Sequence, residues 1–349
     1  MFELPDLSLT QSLVTEWLIR SVAISALALL GFKLLGRESS AIRCRFLFGA
    51  IVLLFVLPIS LSFVKVEVPL PWGSPDVPAS EPQSAAVFPV LLPVWIAGCC
   101  GWLLLLGIGL VRLHRQLGKA IDLEGDDSWS ALVAECCSLL HLRRQPRVLL
   151  TPAQAMPCVI GVFRPTVLLP ENAMTWGSER RRMVLLHELG HLKRGDLWLQ
   201  WISLIVRGLY WFNPLVKSLH HALLVHREEA CDALVVAAGA RPKAYARHLL
   251  EIATTHQQST SLSPALAMAG RGNNPSGLLE RRIESLLDRN KDRRRATWLV
   301  LTLMTSFGLL ALAVACVVPA LTAGEELDVA PWTTAEVELR WSAEPFPTE

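Results

Sequence analysis

Four stretches of this chain are long and apolar enough to cross a bilayer, and nothing else in the sequence restricts its fold as strongly. A spanning helix needs roughly 20 mostly apolar residues. Residues 46–64, 88–111 and 298–324 carry no charge, while 17–35 carries Arg20 and Lys33 near its ends, where long basic side chains reach the interface at modest cost. Composition agrees: 52% of residues are hydrophobic and 18% charged, against about 25% charged in an ordinary globular chain. Disorder and a fibrous protein are excluded. Eight cysteines in 349 residues, with no CxxC, are too few for a disulfide scaffold. Glu3 and Asp6 stand where a secretory signal would be basic, so 17–35 is expected to be retained as a span.

Charge then sets the orientation. The loop 36–45 holds Arg37, Arg43 and Arg45 against Glu38, whereas 65–87 holds Lys65 against Glu67, Asp76 and Glu81. Arg112, Arg115 and Lys119 follow the third span, a basic run at 289–295 precedes the fourth, and 325–349 has seven acids and one Arg. Residues 112–297 carry 26 Lys+Arg against 17 Asp+Glu. These asymmetries predict both termini outside and the central region in the cytoplasm, in a multi-pass protein of the cell inner membrane.

Within that region, Ser130–His141 reads as a helix, and Arg147–Thr151 and Thr166–Leu169 as short strands bounded by prolines. Cys158–Phe163 is a third strand, expected at an edge because Pro157 and Pro165 flank it. Ser178 is the expected N-cap of a helix ending at Gly195, and Asn213-Pro214 starts another that Gly239 stops. Helix resumes from Pro242, with a break at 270–277.

The chemistry is concentrated in His187-Glu188-Leu-Gly-His191. Residues four apart on a helix lie one turn above each other, so His187 and His191 can aim two imidazoles at one Zn²⁺. Glu188 sits beside them, placed as general base toward a water on the metal. The bland reading is a core helix with a histidine pair, but a catalytic zinc needs a third protein ligand, and the chain offers one. Glu228 and Asp232 share a face of the second helix; Glu228 is assigned as that ligand and Asp232 as the carboxylate accepting an N–H from a ligand histidine. Glu229 points about 100° away and is expected in solvent.

Weaker readings stay open beside their structural ones. Asp196 orients a ligand histidine or caps the turn after Gly195. His221 polarises a substrate carbonyl or is an ordinary surface histidine; Asn213 donates to an oxyanion or simply caps its helix. His220 and His226 look to other faces, and Cys158 and Cys231 have no metal-ligand spacing. Cys158, Val159, Ile160 and Gly161 form an edge against which a substrate could lie extended, or a plain strand. Residues 197–216 would pass alone as a fifth span, yet the zinc assignment forbids a single crossing between His191 and Glu228. That segment is therefore expected to be re-entrant, interfacial or buried.

Together these readings give a mainly α integral membrane protein: three helices in 1–111, an α+β zinc peptidase domain with a small sheet in 112–297, a last span at 298–324 and an acidic tail. One Zn²⁺ per chain, membrane lipid and a cytoplasmic protein substrate are the expected partners, without direct nucleic-acid binding, and a homodimer stays open.

The sequence resembles the BlaR/MecR-type family of integral membrane zinc metallopeptidases. The resemblance rests on the three early spans, Val167-Leu-Leu-Pro170, His187–Asp196, Trp211-Phe-Asn-Pro214 and Arg227-Glu-Glu-Ala-Cys-Asp232, over roughly residues 10–320. It implies a cytoplasmic gluzincin-type protease that relays an external signal by cleaving itself and removing a DNA-binding repressor. Antibiotic-sensing members carry a penicillin-binding domain beyond the last span. Only 25 residues follow that span here, and the one SxxK match, Ser62-Phe-Val-Lys65, lies at the end of an apolar stretch. A transducing protease without that sensor is therefore expected. The competing expectations are a housekeeping membrane protease of quality-control type and a non-catalytic transducer with structural zinc.

Overall fold

Long runs of leucine, isoleucine, valine and alanine with few breakers make helix the cheapest way to satisfy the backbone in an apolar setting, and helices dominate. The computed structural model describes residues 7–63, 66–68, 88–123, 125–152, 156–257, 275–288, 308 and 317–319. The described helices are α1 (Leu7–Leu34), α2 (Ser40–Phe63), α3 (Phe88–Leu117), α4 (Asp127–Leu139), α5 (Ser178–Arg194), α6 (Asp196–Leu209), α7 (Pro214–Ala237), α8 (Pro242–Gln257) and α9 (Pro275–Leu287). Three of them are long and apolar enough to cross a membrane, over Trp17–Leu34, Ser40–Pro58 and Leu92–Leu117.

The second helix begins earlier than its uncharged core. The Ser39 carbonyl accepts from the N–H groups of Ile42 and Arg43, so Arg43 and Arg45 are helical rather than part of a loop. Arg43 lies over the Phe32 ring, 4.2 Å from its centroid, which gives the cation a partner at the helix start. Most of the expected last span, 298–324, lies outside the described residues, as do the basic run 289–295 and the tail 325–349. Within that range, however, Val317–Pro319 is a strand, β6, paired in parallel with β1 (Val66–Val68). These three residues are therefore extended rather than helical, as expected for the adjacent β-branched Val317 and Val318 followed by Pro319. This strand pair belongs to a separate small unit of the chain, 65–83 and 317–349.

In the larger unit, 1–64 and 84–316, a four-stranded mixed sheet has the order β2-β3-β5-β4, from β2 (Ile121–Asp122), β3 (Arg147–Thr151), β4 (Cys158–Ile160) and β5 (Thr166–Pro170). β4 is shorter than Cys158–Phe163 and takes the expected edge. Gly161 ends it at φ +80°, where a Cβ would collide with the Arg164 carbonyl, so only glycine makes this turn. α4 starts three residues before the expected Ser130, because Asp126 caps it by accepting from the N–H groups of Ser128 and Trp129.

The sheet packs on α4, α5, α8 and α9 through one core. Val167, Leu169, Leu185, Leu186 and Leu189 in it are fully buried, each worth about 1.5–3 kcal/mol. A second core joins α1 and α2 to α6 and α7, with Ile24, Leu47, Ile51, Leu54, Val206, Tyr210, Leu219 and Leu223 at its centre. α7 contributes to both.

Residues 197–216 resolve into α6, a turn and the start of α7. α6 has 14 residues, about 21 Å at 1.5 Å per residue, too short for a hydrocarbon core of about 30 Å. One face buries Leu199, Ser203, Leu204 and Val206, while Trp198 and Ile205 on the other are exposed. The turn is pinned from three sides: Tyr210 Oη donates to the Leu54 carbonyl (2.9 Å), Trp17 Nε1 donates to Tyr210 Oη (2.9 Å) and Trp95 Nε1 donates to the Leu209 carbonyl (2.9 Å). Gly98 of α3 and Gly208 of α6 each seat an indole, Trp211 and Trp102, where any Cβ would overlap the ring.

Candidate metal centre

α5 presents the two histidines because its ends are well specified. Gly195 adopts the left-handed conformation (φ 73°) that stops the helix and turns the chain directly into α6. Ser178 is the first helical residue; the cap position falls to Gly177, without a side-chain bond. Asn213 caps α7 as its sequence suggests, accepting from the Leu215 N–H at 2.9 Å. α7 then crosses α5 so that Glu228 meets both imidazoles.

His187 Nε2 lies 3.4 Å from Glu228 Oε2, and His191 Nε2 lies 3.7 Å from Glu228 Oε1. Ligand atoms of His187, His191 and Glu228 all fall within 4.8 Å of one another. About a tetrahedral ion with bonds of ~2.0–2.1 Å, neighbouring ligand atoms sit roughly 3.3–3.4 Å apart. The two imidazole–carboxylate separations lie within a few tenths of an ångström of that spacing, and the donor set, two imidazoles and a carboxylate, suits a divalent metal.

The far nitrogens are held as well. His187 Nδ1 is 3.1 Å from Asp232 Oδ1, and His191 Nδ1 is 2.8 Å from Asp196 Oδ2. A carboxylate on Nδ1 fixes the tautomer with its lone pair on Nε2, the side that faces Glu228. Both Asp232 and Asp196 are buried. Burial opposes the Asp232 charge, but the Arg282 guanidinium prevails and holds this carboxyl well below its usual range. Glu228 is half-buried; burial opposes its charge too, but His191, His187, Arg227 and Arg282 hold it well below its usual range. Burial works against the His187 imidazolium, but hydrogen bonds to Asp232 and Glu228 outweigh it and raise this group to about 9. Glu188 is buried and pushed up by that burial, and it makes no hydrogen bond to another described residue. Its carboxylate is free to work as an acid or base.

The remaining sequence candidates fall differently. Cys158 on β4 is close enough to Glu188 for the two charges to interact, and burial raises the thiol strongly. The edge strand Cys158–Gly161 therefore borders the centre. His221 is exposed and faces Arg281, which together with burial lowers it. Asn213 spends its amide on the α7 cap and on Ser21 Oγ, 3.5 Å away. His220 is buried against Ser203, and His226 against Glu229 and Phe32.

Several further residues stand near the centre; Arg227 and Cys231 share the 227–232 motif with Glu228, while Tyr245 and Arg282 carry no sequence signal. Cys231 Sγ lies 3.2 Å from His191 Nδ1 and 3.5 Å from Asp196 Oδ2. Tyr245 Oη donates to Asp232 Oδ1 at 2.7 Å and touches His187 Nδ1 at 3.0 Å. Arg227 bonds to Glu228 Oε1 (3.0 Å) and to Gln200 Oε1 (3.1 Å). Arg282 of α9 grips Asp232 through Nε (2.8 Å) and Nη2 (2.7 Å). Glu229, expected in solvent, is buried instead, accepting from Ser40 Oγ of α2 at 2.5 Å. The face 100° from Glu228 meets a neighbouring helix, so a helical wheel alone misplaces it.

Residues 72–286 match the BlaR1 peptidase M56 family. Among curated relatives, the regulatory protein BlaR1 of Bacillus licheniformis is 26% identical over 156 residues, 45% of this chain and 26% of that protein. The methicillin resistance mecR1 protein of Staphylococcus aureus is 27% identical over 77 residues, 22% of this chain and 13% of that protein. The chain therefore matches about a quarter of the first relative's length and less of the second's.

Proposed function

The chain belongs to the BlaR1 peptidase M56 family, and from that premise we propose that it is a membrane-embedded zinc endopeptidase of signal transduction. Its substrate is a cytoplasmic protein of the transcriptional-repressor class, and the chain itself is a second target. The observation carrying this reading is the convergence of His187, His191 and Glu228 donor atoms within 4.8 Å, beside an uncommitted, buried Glu188.

A zinc ion held by these three residues would polarise the scissile carbonyl and acidify the attacking water. Glu188 takes the proton of that water as its oxygen bonds to the carbonyl carbon. The same carboxyl then delivers the proton to the amine nitrogen as the C–N bond breaks. Burial, which raises Glu188, suits this double duty, since a stronger base accepts the proton more readily. Asp232 and Asp196 keep the histidines oriented through Nδ1. The open side of β4, residues Cys158 to Gly161, holds the substrate backbone extended by strand addition.

The charge asymmetry of the loops supports a cytoplasmic site, extracytoplasmic termini and a fourth span that begins near Trp298. A purely structural zinc needs no base, so Glu188 favours the enzyme over a non-catalytic transducer. The test compares proteomes of cells carrying the wild-type chain and Glu188→Gln, with metal content measured on both purified proteins. Equal metal, and fragments of a regulator found only with wild type, are expected. Identical fragments in both strains would remove Glu188 and the peptidase reading together.

A further inference from the structure

The oxyanion that forms when water adds to a peptide carbonyl needs a donor, and neither sequence candidate is placed to give one: Asn213 Nδ2 is turned to Ser21 Oγ and His221 is exposed. Arg282 is different. It is 9% exposed, and Nε and Nη2 are locked in a fork on the two oxygens of Asp232 at 2.8 and 2.7 Å. That grip fixes the guanidinium plane and leaves Nη1 without a hydrogen bond.

The free edge points to the metal side of the centre. Nη1 lies 3.6 Å from Glu228 Oε2 and Nη2 lies 3.5 Å from His187 Nε2, the two ligand atoms that face each other at 3.4 Å. The other polar neighbours are turned away or used up. Tyr245 touches His187 at Nδ1, behind the ring. Arg227 spends Nε and Nη2 on Glu228 Oε1, and Nη1 on Gln200.

Resting on the peptidase reading above, we propose that Arg282 is a catalytic residue whose Nη1–H donates to the carbonyl oxygen as it becomes an oxyanion. The water oxygen bonds to the carbonyl carbon, and the C=O π pair moves onto oxygen. The water proton goes by way of Glu188 to the amine nitrogen, which leaves with the electrons of the C–N bond. Arg282 donates throughout and keeps its proton, as its high basicity requires. Asp232 then serves two partners at once, orienting His187 and aiming Arg282.

The test uses the full-length, zinc-loaded protein in detergent and two probes: a phosphinic pseudotripeptide, which presents a tetrahedral anion, and acetohydroxamate, which chelates the metal without one. Removing one oxyanion donor costs on the order of 10²–10³ in rate, and a tetrahedral analogue registers part of that loss as affinity. Arg282→Ala is expected to weaken the phosphinate at least about 50-fold. Zinc content should be unchanged and acetohydroxamate affinity within about threefold. Arg282→Lys, which keeps the charge and volume but not the fork, should recover part of the loss.

Phosphinate affinity within about threefold of wild type in either variant overturns the assignment. So does parallel loss of zinc and both probes in Arg282→Lys, which would make the residue a brace for Asp232 alone. A wild-type chain that binds zinc and acetohydroxamate but not the phosphinate, and cleaves no protein, overturns the peptidase reading as well.

Discussion

Asp232 is where a single substitution should do most damage, and the size of that damage follows from its partners. The carboxylate is 1% exposed and accepts from Arg282 twice, from Tyr245 once, and pairs with His187 Nδ1 at 3.1 Å. Asp232→Ala strips the buried Arg282 guanidinium of its hydrogen-bonded counter-charge and leaves only Glu228, 3.6 Å from Nη1, a loss of about 3–5 kcal/mol for a one-sided break of a buried ion pair. At about 2–4 °C per kcal/mol for a domain of this size, the melting temperature falls by roughly 6–20 °C. Loss of the anchor on His187 separately weakens metal binding about 10–100-fold. Thermal unfolding in detergent with chelator isolates the first effect, and competition titration against a zinc indicator reads the second. The paired variant Asp232→Leu/Arg282→Met removes both charges and should regain most of the stability, but none of the metal affinity. A loss below about 1 kcal/mol in Asp232→Ala, or a double variant less stable than either single one, would refute the reasoning.

Glu228→Ala should lose zinc on dialysis, checked by elemental analysis, because two imidazoles alone make a weak site. In the metal-free chain, the raised His187 (about 9) contributes stability that is full below about 6.5, its unfolded value, and is lost as pH rises through about 9. Zinc reverses the trend, since ligation needs the neutral ring; apparent affinity should climb by up to about tenfold per pH unit toward pH 9, read by titration at several pH values. Glu229→Ala removes the partner of Ser40 and His226 and should cost about 1.5–3 kcal/mol by chemical denaturation, whereas a solvent-exposed glutamate would cost under about 0.5. Gly208→Leu would force the Trp102 indole out of its seat, so proteolysis along α3 should quicken while Gly101→Leu, with open space around it, leaves the rate unchanged.

Local signals were the legible ones. The Gly195 stop, the Asn213-Pro214 start and the four-residue spacings of His187/His191 and Glu228/Asp232 depend on neighbours in sequence, and the residues lie on the helices those signals predict. The Asp196 contact, five residues from His191, follows from the same short range, whereas Asp232 meets His187 only where α7 crosses α5. Arg282 and Tyr245 are another matter. They reach Asp232 and His187 across 50 and 58 residues, and an arginine on an amphipathic helix looks the same whether it faces water or a buried carboxylate. The chain's two tyrosines, Tyr210 and Tyr245, are both buried with bonded hydroxyls. Glu229 went astray because its helix was read as having a wet side, where α2 in fact lies.

α7 belongs to two cores at once, and this bears on how the protein can be handled. Its first turns, with Val216, Leu219 and Leu223, lie against α1 and α2, while Val235 near its other end lies among the residues that pack on the sheet; Glu228 sits between. A fragment cut to begin at residue 112 would look self-sufficient by charge, yet it would strip the oily cover from half of this rod and leave Tyr210 bare beside it. Such a piece should precipitate or clump, and biochemists seeking the hydrolase in isolation will need to carry its first two lipid-embedded segments along.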